Sequence, residues 1–199
     1  MPDTTHPDAV RPDLSEQISI RPLTRADLAV LLRWLNDPLI RTWWPREPPT
    51  PAGIEDKYGL RIDGTVPVRV YIYEYRGEPA GMTQCFRWAE RPSRKFPVAI
   101  PAAASIDFLL GEARFRGKGV GSAGFAKFAG QVLDTYPDVD YLVGYPHRDN
   151  RAFQQVLANA GYRRLADVAD ELMLPRPPDG DPNIVHIRPR AGFPDHRPG

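Results

Sequence analysis

The stretch 104-ASIDFLLGEARFRGKGVGSAGFAKFAGQVL-133 constrains the fold more than any other part of the chain. An apolar run, 104–111, reads as a strand. Eight residues from Arg114 to Gly121 then hold three glycines and three basic side chains, and a helical pattern follows. A strand that passes through such a turn into a helix leaves the first helical amides without an intrahelical acceptor. The helix dipole adds partial positive charge there. Glycine permits positive φ and close approach of a ligand to the backbone. The turn is therefore either an anion cradle, with Arg116 and Lys118 at its rim, or a solvated basic loop. A further strand, 139–146, and a helix, 150–161, ended by Gly161, make the centre of the chain a βαβ unit.

Around this unit, 18–23 reads as a strand and Thr24 as the cap of a helix over 25–37, stopped by Pro38. The piece 38–44 is short and helical and carries Trp43 and Trp44, and 45–51 reads as loop. Residues 66–75 and 80–88 predict a hairpin about the turn 76-RGEP-79. The connection 89–103 is long, and 162–168 and 183–190 read as strands. The expected organisation is a disordered tail over 1–17, one α/β domain over 18–190 and a second tail over 191–199.

Among 199 residues, 42% are hydrophobic, but no apolar run approaches the ~18 residues of a membrane span. Residues 1–17 lack the basic start and apolar core of a signal peptide, so a cytoplasmic location is expected. With 26 basic and 25 acidic residues, the balance gives no reason to expect nucleic acid as a partner. The single cysteine, Cys85, lies in an apolar strand and reads as a buried structural thiol. No metal site is expected.

The turn matches neither GxxxxGK[ST] nor GxGxxG. It does match R-x-x-G-x-G, as Arg116, Gly119 and Gly121. With the strand before it, the helix after it, Asn150 at the start of the next helix and 159-NAGY-162, it resembles the acyl-CoA loop of the GCN5-related N-acetyltransferases (GNAT). The resemblance spans about residues 18–190. It implies a mixed, mostly antiparallel central sheet flanked by helices, with two parallel strands splayed apart. It implies acetyl-CoA as cosubstrate. Its pyrophosphate would be held by Arg116, Gly117, Lys118, Gly119, Val120, Gly121 and Ser122, with Ser122 starting the helix. Its pantetheine arm would be held by Asn150 and the backbone of Phe108, Leu109 and Leu110.

Three segments, 28-LAVLLRWLNDPLIRTWW-44, 78-EPAGMTQCF-86 and 105-SIDFLLGEARFRGKGVG-121, are similar to aminoglycoside 6′-N-acetyltransferases. On that resemblance Asp107 is the catalytic base, and Trp43, Trp44, Gln84, Asp107 and Tyr145 contact the acceptor. A base is what the chemistry requires, because an ammonium cannot attack a thioester. Many family members carry a tyrosine as general acid where this chain has Leu157; Tyr145, a water or unassisted departure of the thiolate are the alternatives. The loop 89-AERPSRKFPVAIP-101 is basic at Arg91, Arg94 and Lys95, which suits a less charged acceptor than most aminoglycosides. The acids expected about the site are Asp37, Glu47, Glu55, Asp56 and Asp149, and His147 is a further candidate base.

The expected function is acetylation of an aminoglycoside amine, at the 6′ position or at the 2′ amine of a kasugamycin-like drug, conferring resistance. The alternatives are acetylation of a siderophore hydroxylamine or another small amine, and a non-catalytic acyl-CoA-binding module. The partner is a small molecule, with no membrane, and the chain is a monomer or homodimer.

Overall fold

The computed structural model describes residues 13–44, 47–90 and 97–192. Four residues of the expected tail, Leu14–Gln17, form a 3-10 turn, which Lys127 anchors through the carbonyls of Ser15 and Ile18 at 2.9 and 2.5 Å. Strand β1 (Ile18–Pro22) follows. The helix expected from Arg25 opens instead as a 3-10 turn, Arg25–Asp27, before α1 (Leu28–Leu35). Its cause is local. The Asp27 carboxylate takes the amide and hydroxyl of Thr24, at 2.9 and 2.8 Å, and both terminal nitrogens of Arg21, each at 2.8 Å. Asp37 caps α2 (Pro38–Arg41), with Pro38 in the first turn, where its missing N–H costs nothing.

The segment after the Pro-rich loop, which its sequence pattern does not assign, forms a helix. Thr50 accepts a bond from the Gly53 amide at 3.1 Å and starts α3 (Pro51–Ile54). A π turn, Glu55–Gly59, leads into α4 (Leu60–Ile62).

The hairpin forms as expected, from β2 (Arg69–Tyr75) and β3 (Glu78–Arg87). Arg76 and Gly77 both have positive φ, 54° and 76°, as a two-residue turn matched to strand twist requires. Next come β4 (Ala103–Leu110), α5 (Val120–Thr135), β5 (Tyr141–Gly144) and α6 (Arg151–Asn159). The strand expected over 162–168 shrinks to β6 (Arg163–Arg164), because Leu165 and Val168 turn inward on α7 (Leu165–Val168) to fill the core. The last strand is β7 (His186–Pro189).

Among the described residues seven strands run in the order β1-β2-β3-β4-β5-β7-β6, and only β4–β5 is parallel. One face is covered by α1 and the α3–α4 segment, which pack Leu31, Trp34, Leu35, Ile54 and Tyr58 onto Val70, Ile72, Met82 and Leu109. The other is covered by α5 and α6, with Phe125, Phe128, Val132 and Leu157 against Cys85, Ile106 and Leu142. Among the described residues no helix is long and apolar enough to cross a membrane.

Candidate active site

The parallel pair carries only three register pairs, Ala103–Tyr141, Ala104–Leu142 and Ser105–Val143. Beyond Ser105 the strands part, while β4 stays paired to β3 as far as Leu110 opposite Gly81. Backbone groups in a strand alternate between its two edges. The Leu109 carbonyl turns toward β3, where the Tyr73 hydroxyl donates to it at 3.0 Å. Burial pushes that hydroxyl well above the ordinary tyrosine range, which keeps it a donor. Gly81 makes the contact possible, since a Cβ there would stand 2.2 Å from the Leu109 oxygen. Of the three backbone units expected to bind pantetheine, Phe108 and Leu110 therefore open toward the gap.

At the mouth of the gap Gly117 and Gly119 hold φ at 72° and 80°, and α5 begins at Val120, two residues before the expected Ser122. The first helical bond runs from the Ala123 amide to the Gly119 carbonyl at 3.0 Å. The amides of Val120, Gly121 and Ser122 stand ahead of it. Lys118 is exposed beside them.

Arg116 does something the motif did not suggest. Its guanidinium donates to the Asp37 carboxylate at 2.8 Å and to the Gly111 carbonyl at 3.3 Å. The Arg116 bond holds the Asp37 carboxyl below the usual carboxylate range, against a smaller opposing effect of burial. The Arg116 charge is thus already matched, and the loop presents amides and Lys118 to an anion. Ser122 accepts a bond from Asn159 at 3.2 Å. Asn150 caps α6, its side-chain oxygen accepting from the Phe153 amide at 3.1 Å, so its NH2 group turns away from the helix. An extended, amide-bearing arm ending in an anion fits this frame: backbone edges in the gap, and positive-φ glycines with the helix-start amides ahead of the first helical bond at its mouth.

On the face beneath α1 and α4, Gln84 and Asp107 are register partners across β3 and β4. Gln84 Nε2 donates to Asp107 Oδ2 at 2.7 Å, and Arg61 on α4 donates to Gln84 Oε1. Gln84 is 6% exposed and Asp107 half-buried. Gln84, expected as an acceptor contact, thus has both ends of its amide engaged inside the protein. The Arg61 guanidinium lies over the Tyr58 ring, 5.0 Å from its centre. Burial raises the pKa of the fully buried Tyr58 hydroxyl, Arg61 and Trp44 oppose this, and the Asp107 charge adds to it.

Trp44 packs into the core beside Tyr58, whereas Trp43 is 40% exposed with its ring 5.7 Å from that of His147. His147 Nδ1 accepts from the Asp149 amide at 3.2 Å and is also 3.6 Å from that carboxylate. Tyr145 donates to Asp181 at 2.7 Å. Leu157 is fully buried against Gly144, where a Cβ would lie 2.5 Å from it, so an apolar side chain fills the place expected of a general acid. Of the expected acids, Asp37 pairs with Arg116 and Glu55 with Arg25, while Glu47 and Asp56 are exposed. Arg91, Arg94 and Lys95 lie outside the described residues.

Sequence reasoning missed Arg61 and Tyr58. The signal was present as Thr50 before Pro51, a cap and first-turn pair, and as Ile54, Tyr58 and Ile62 at helical spacing.

Comparison with known proteins agrees with this geometry. A family model described as "Acetyltransferase (GNAT) domain" matches residues 24–169. The aminoglycoside N(6′)-acetyltransferase type 1 of Klebsiella pneumoniae is 28% identical over 188 residues, 90% of this chain and 86% of the relative. A crystal structure of aminoglycoside acetyltransferase AAC(6′)-Ib with coenzyme A superposes with a TM-score of 0.69 at 26% identity, covering 87% of this chain and 95% of the other. Its complex with coenzyme A and kanamycin gives the same values. A third structure of that enzyme holds acetyl-CoA, with a TM-score of 0.70 at 26% identity and coverage of 87% and 94%. With its splayed parallel pair, glycine turn and helix start matched by a model over most of the domain, the chain belongs to the GNAT family of acetyltransferases.

Proposed function

We propose that the protein transfers the acetyl group of acetyl-CoA to an amine of an aminoglycoside. The observation that carries this reading is the Gln84–Asp107 pair on β3 and β4, at the point where β4 leaves β5. The half-buried carboxylate attracts the acceptor's ammonium and takes its proton, directly or through a water. The neutral amine then attacks the thioester carbonyl. A C–N bond forms, the C–S bond breaks, the thiolate leaves, and the nitrogen gives up its second proton to water or to the departing thiolate. Backbone N–H groups of Phe108 and Leu110 in the gap support the developing oxyanion, an effect worth about 3 kcal/mol for one well-aimed donor. Alignment of the two reactants supplies much of the remainder.

The thiolate departs without a tyrosine acid, since Leu157 fills that place and Tyr145 donates to Asp181. A thiol pKa near ~8.5 makes this leaving group tolerable. Acetylation removes one positive charge from the drug and so weakens its hold on anionic targets. Resistance follows if the modified amine is one the target reads.

Likeness to the 6′ enzymes supports the 6′ amine. Arg61, one side-chain amide from Asp107, favours a second acceptor class within the same reaction. A cation at that point opposes densely charged aminoglycosides and suits a drug with few amines, such as kasugamycin acetylated at its 2′ amine. The test is to incubate the protein with acetyl-CoA and kanamycin, ribostamycin, kasugamycin or an alkyl hydroxylamine, and to identify each product by mass spectrometry and NMR. An acetamide on one aminoglycoside amine is the expected product. Acetylation of the hydroxylamine alone would move the acceptor to the siderophore class, and no product with any of them would overturn the reading.

A further inference from the structure

We propose that Arg61 is a positioning residue: it holds the Gln84 amide in the one orientation that donates to Asp107. The proposal rests on the reading of Asp107 as the base.

A side-chain amide has two orientations, related by a flip that exchanges oxygen and NH2. In one, the NH2 group faces Asp107, as seen at 2.7 Å. In the other, the carbonyl oxygen meets the carboxylate, acceptor against acceptor. Arg61 has donors only, so it bonds the amide oxygen and no other end. Its donation selects the first orientation. The site gives water little chance to do the same, because Gln84 is 6% exposed. Arg61 is itself held in place, since its guanidinium lies 5.0 Å above the ring of the fully buried Tyr58. Three elements therefore fix one carboxylate: α4 supplies Arg61, β3 supplies Gln84 and β4 supplies Asp107. With Oδ2 committed to Gln84, the plane of the Asp107 carboxylate is set. A base misaimed by about 1 Å can lose roughly 10²-fold in rate.

The chain of contacts predicts non-additivity. Arg61→Met and Gln84→Leu should each lower kcat with the acceptor by about 10-fold or more. The double variant should lose no more than the worse single one. The KM for acetyl-CoA should stay within about twofold, since neither residue lies in the donor gap. Arg61→Lys keeps one donor and should recover part of the loss. Losses that multiply in the double variant, or an Arg61→Met enzyme as fast as wild type, would overturn the proposal. If Arg61→Met fails to fold, the same cycle run with Arg61→Lys decides: an equal loss in the wild-type and Gln84→Leu backgrounds contradicts the chain of contacts. Asp107→Asn separates the two levels. Unchanged turnover there strikes the proposed function, whereas multiplying losses in a protein that Asp107→Asn disables strike Arg61 alone.

Discussion

The Cys85 thiol is 1% exposed, and burial pushes its pKa up to about 12. Its place in an apolar strand is visible in the sequence, and the fold seals it there. A folded-state pKa so far above the usual thiol value leaves almost no thiolate at pH 8. Iodoacetamide at pH 8 should therefore leave the native protein unlabelled and modify it only after denaturation, read by mass spectrometry. Rapid labelling of the native protein would contradict the burial. Other residues were legible singly and not in pairs. Gln84 and Asp107 stand out in the sequence, but the bond between them depends on β3–β4 register. The same holds for Arg116, whose motif position suggests a phosphate. Its partner, Asp37, comes from a helix cap far away in the chain, so no local pattern could reveal it.

Among the elements, the strand–glycine turn–helix unit was the most legible. Its signals are local: an apolar run, glycines where φ is positive, and helical periodicity. Gly119→Val tests that unit. A β-branched residue at a φ of 80° is strained, and a Cβ there would lie 3.0 Å from Leu14. The KM for acetyl-CoA should rise at least about 10-fold with a smaller change in kcat. An unchanged KM would contradict the cradle. The α3–α4 segment was not legible in the same way. The Pro-rich stretch 45–51 reads as loop and the residues after it carry no clear pattern, while the Thr50 cap and the burial of Ile54 and Tyr58 make the segment helix. Tertiary packing overrode propensity there. The 162–168 segment failed in the opposite direction, because its apolar residues serve a short helix over the β5–β7 core.

At the scale of the whole molecule, the two halves of the proposed site are tied together by α2. Its cap, Asp37, holds Arg116 of the donor loop, and the chain just beyond its last turn carries Trp43 and Trp44. A net charge of +1 says nothing of this arrangement. What matters is local: a carboxylate at the base of the gap, an arginine behind it, and backbone amides at its mouth. The mixed sheet was implied by resemblance. The place where the parallel pair parts, and hence where Asp107 stands relative to Phe108 and Leu110, needed three-dimensional register. The proposed reaction is transfer to an aminoglycoside amine with Asp107 as base. Its most direct test is the initial rate of free-thiol release from acetyl-CoA, with and without an aminoglycoside, for wild type and Asp107→Asn. Acceptor-dependent release is expected, lowered about 10²-fold or more by Asp107→Asn with the KM for acetyl-CoA little changed. Acceptor-dependent release at an equal rate in the variant would contradict it.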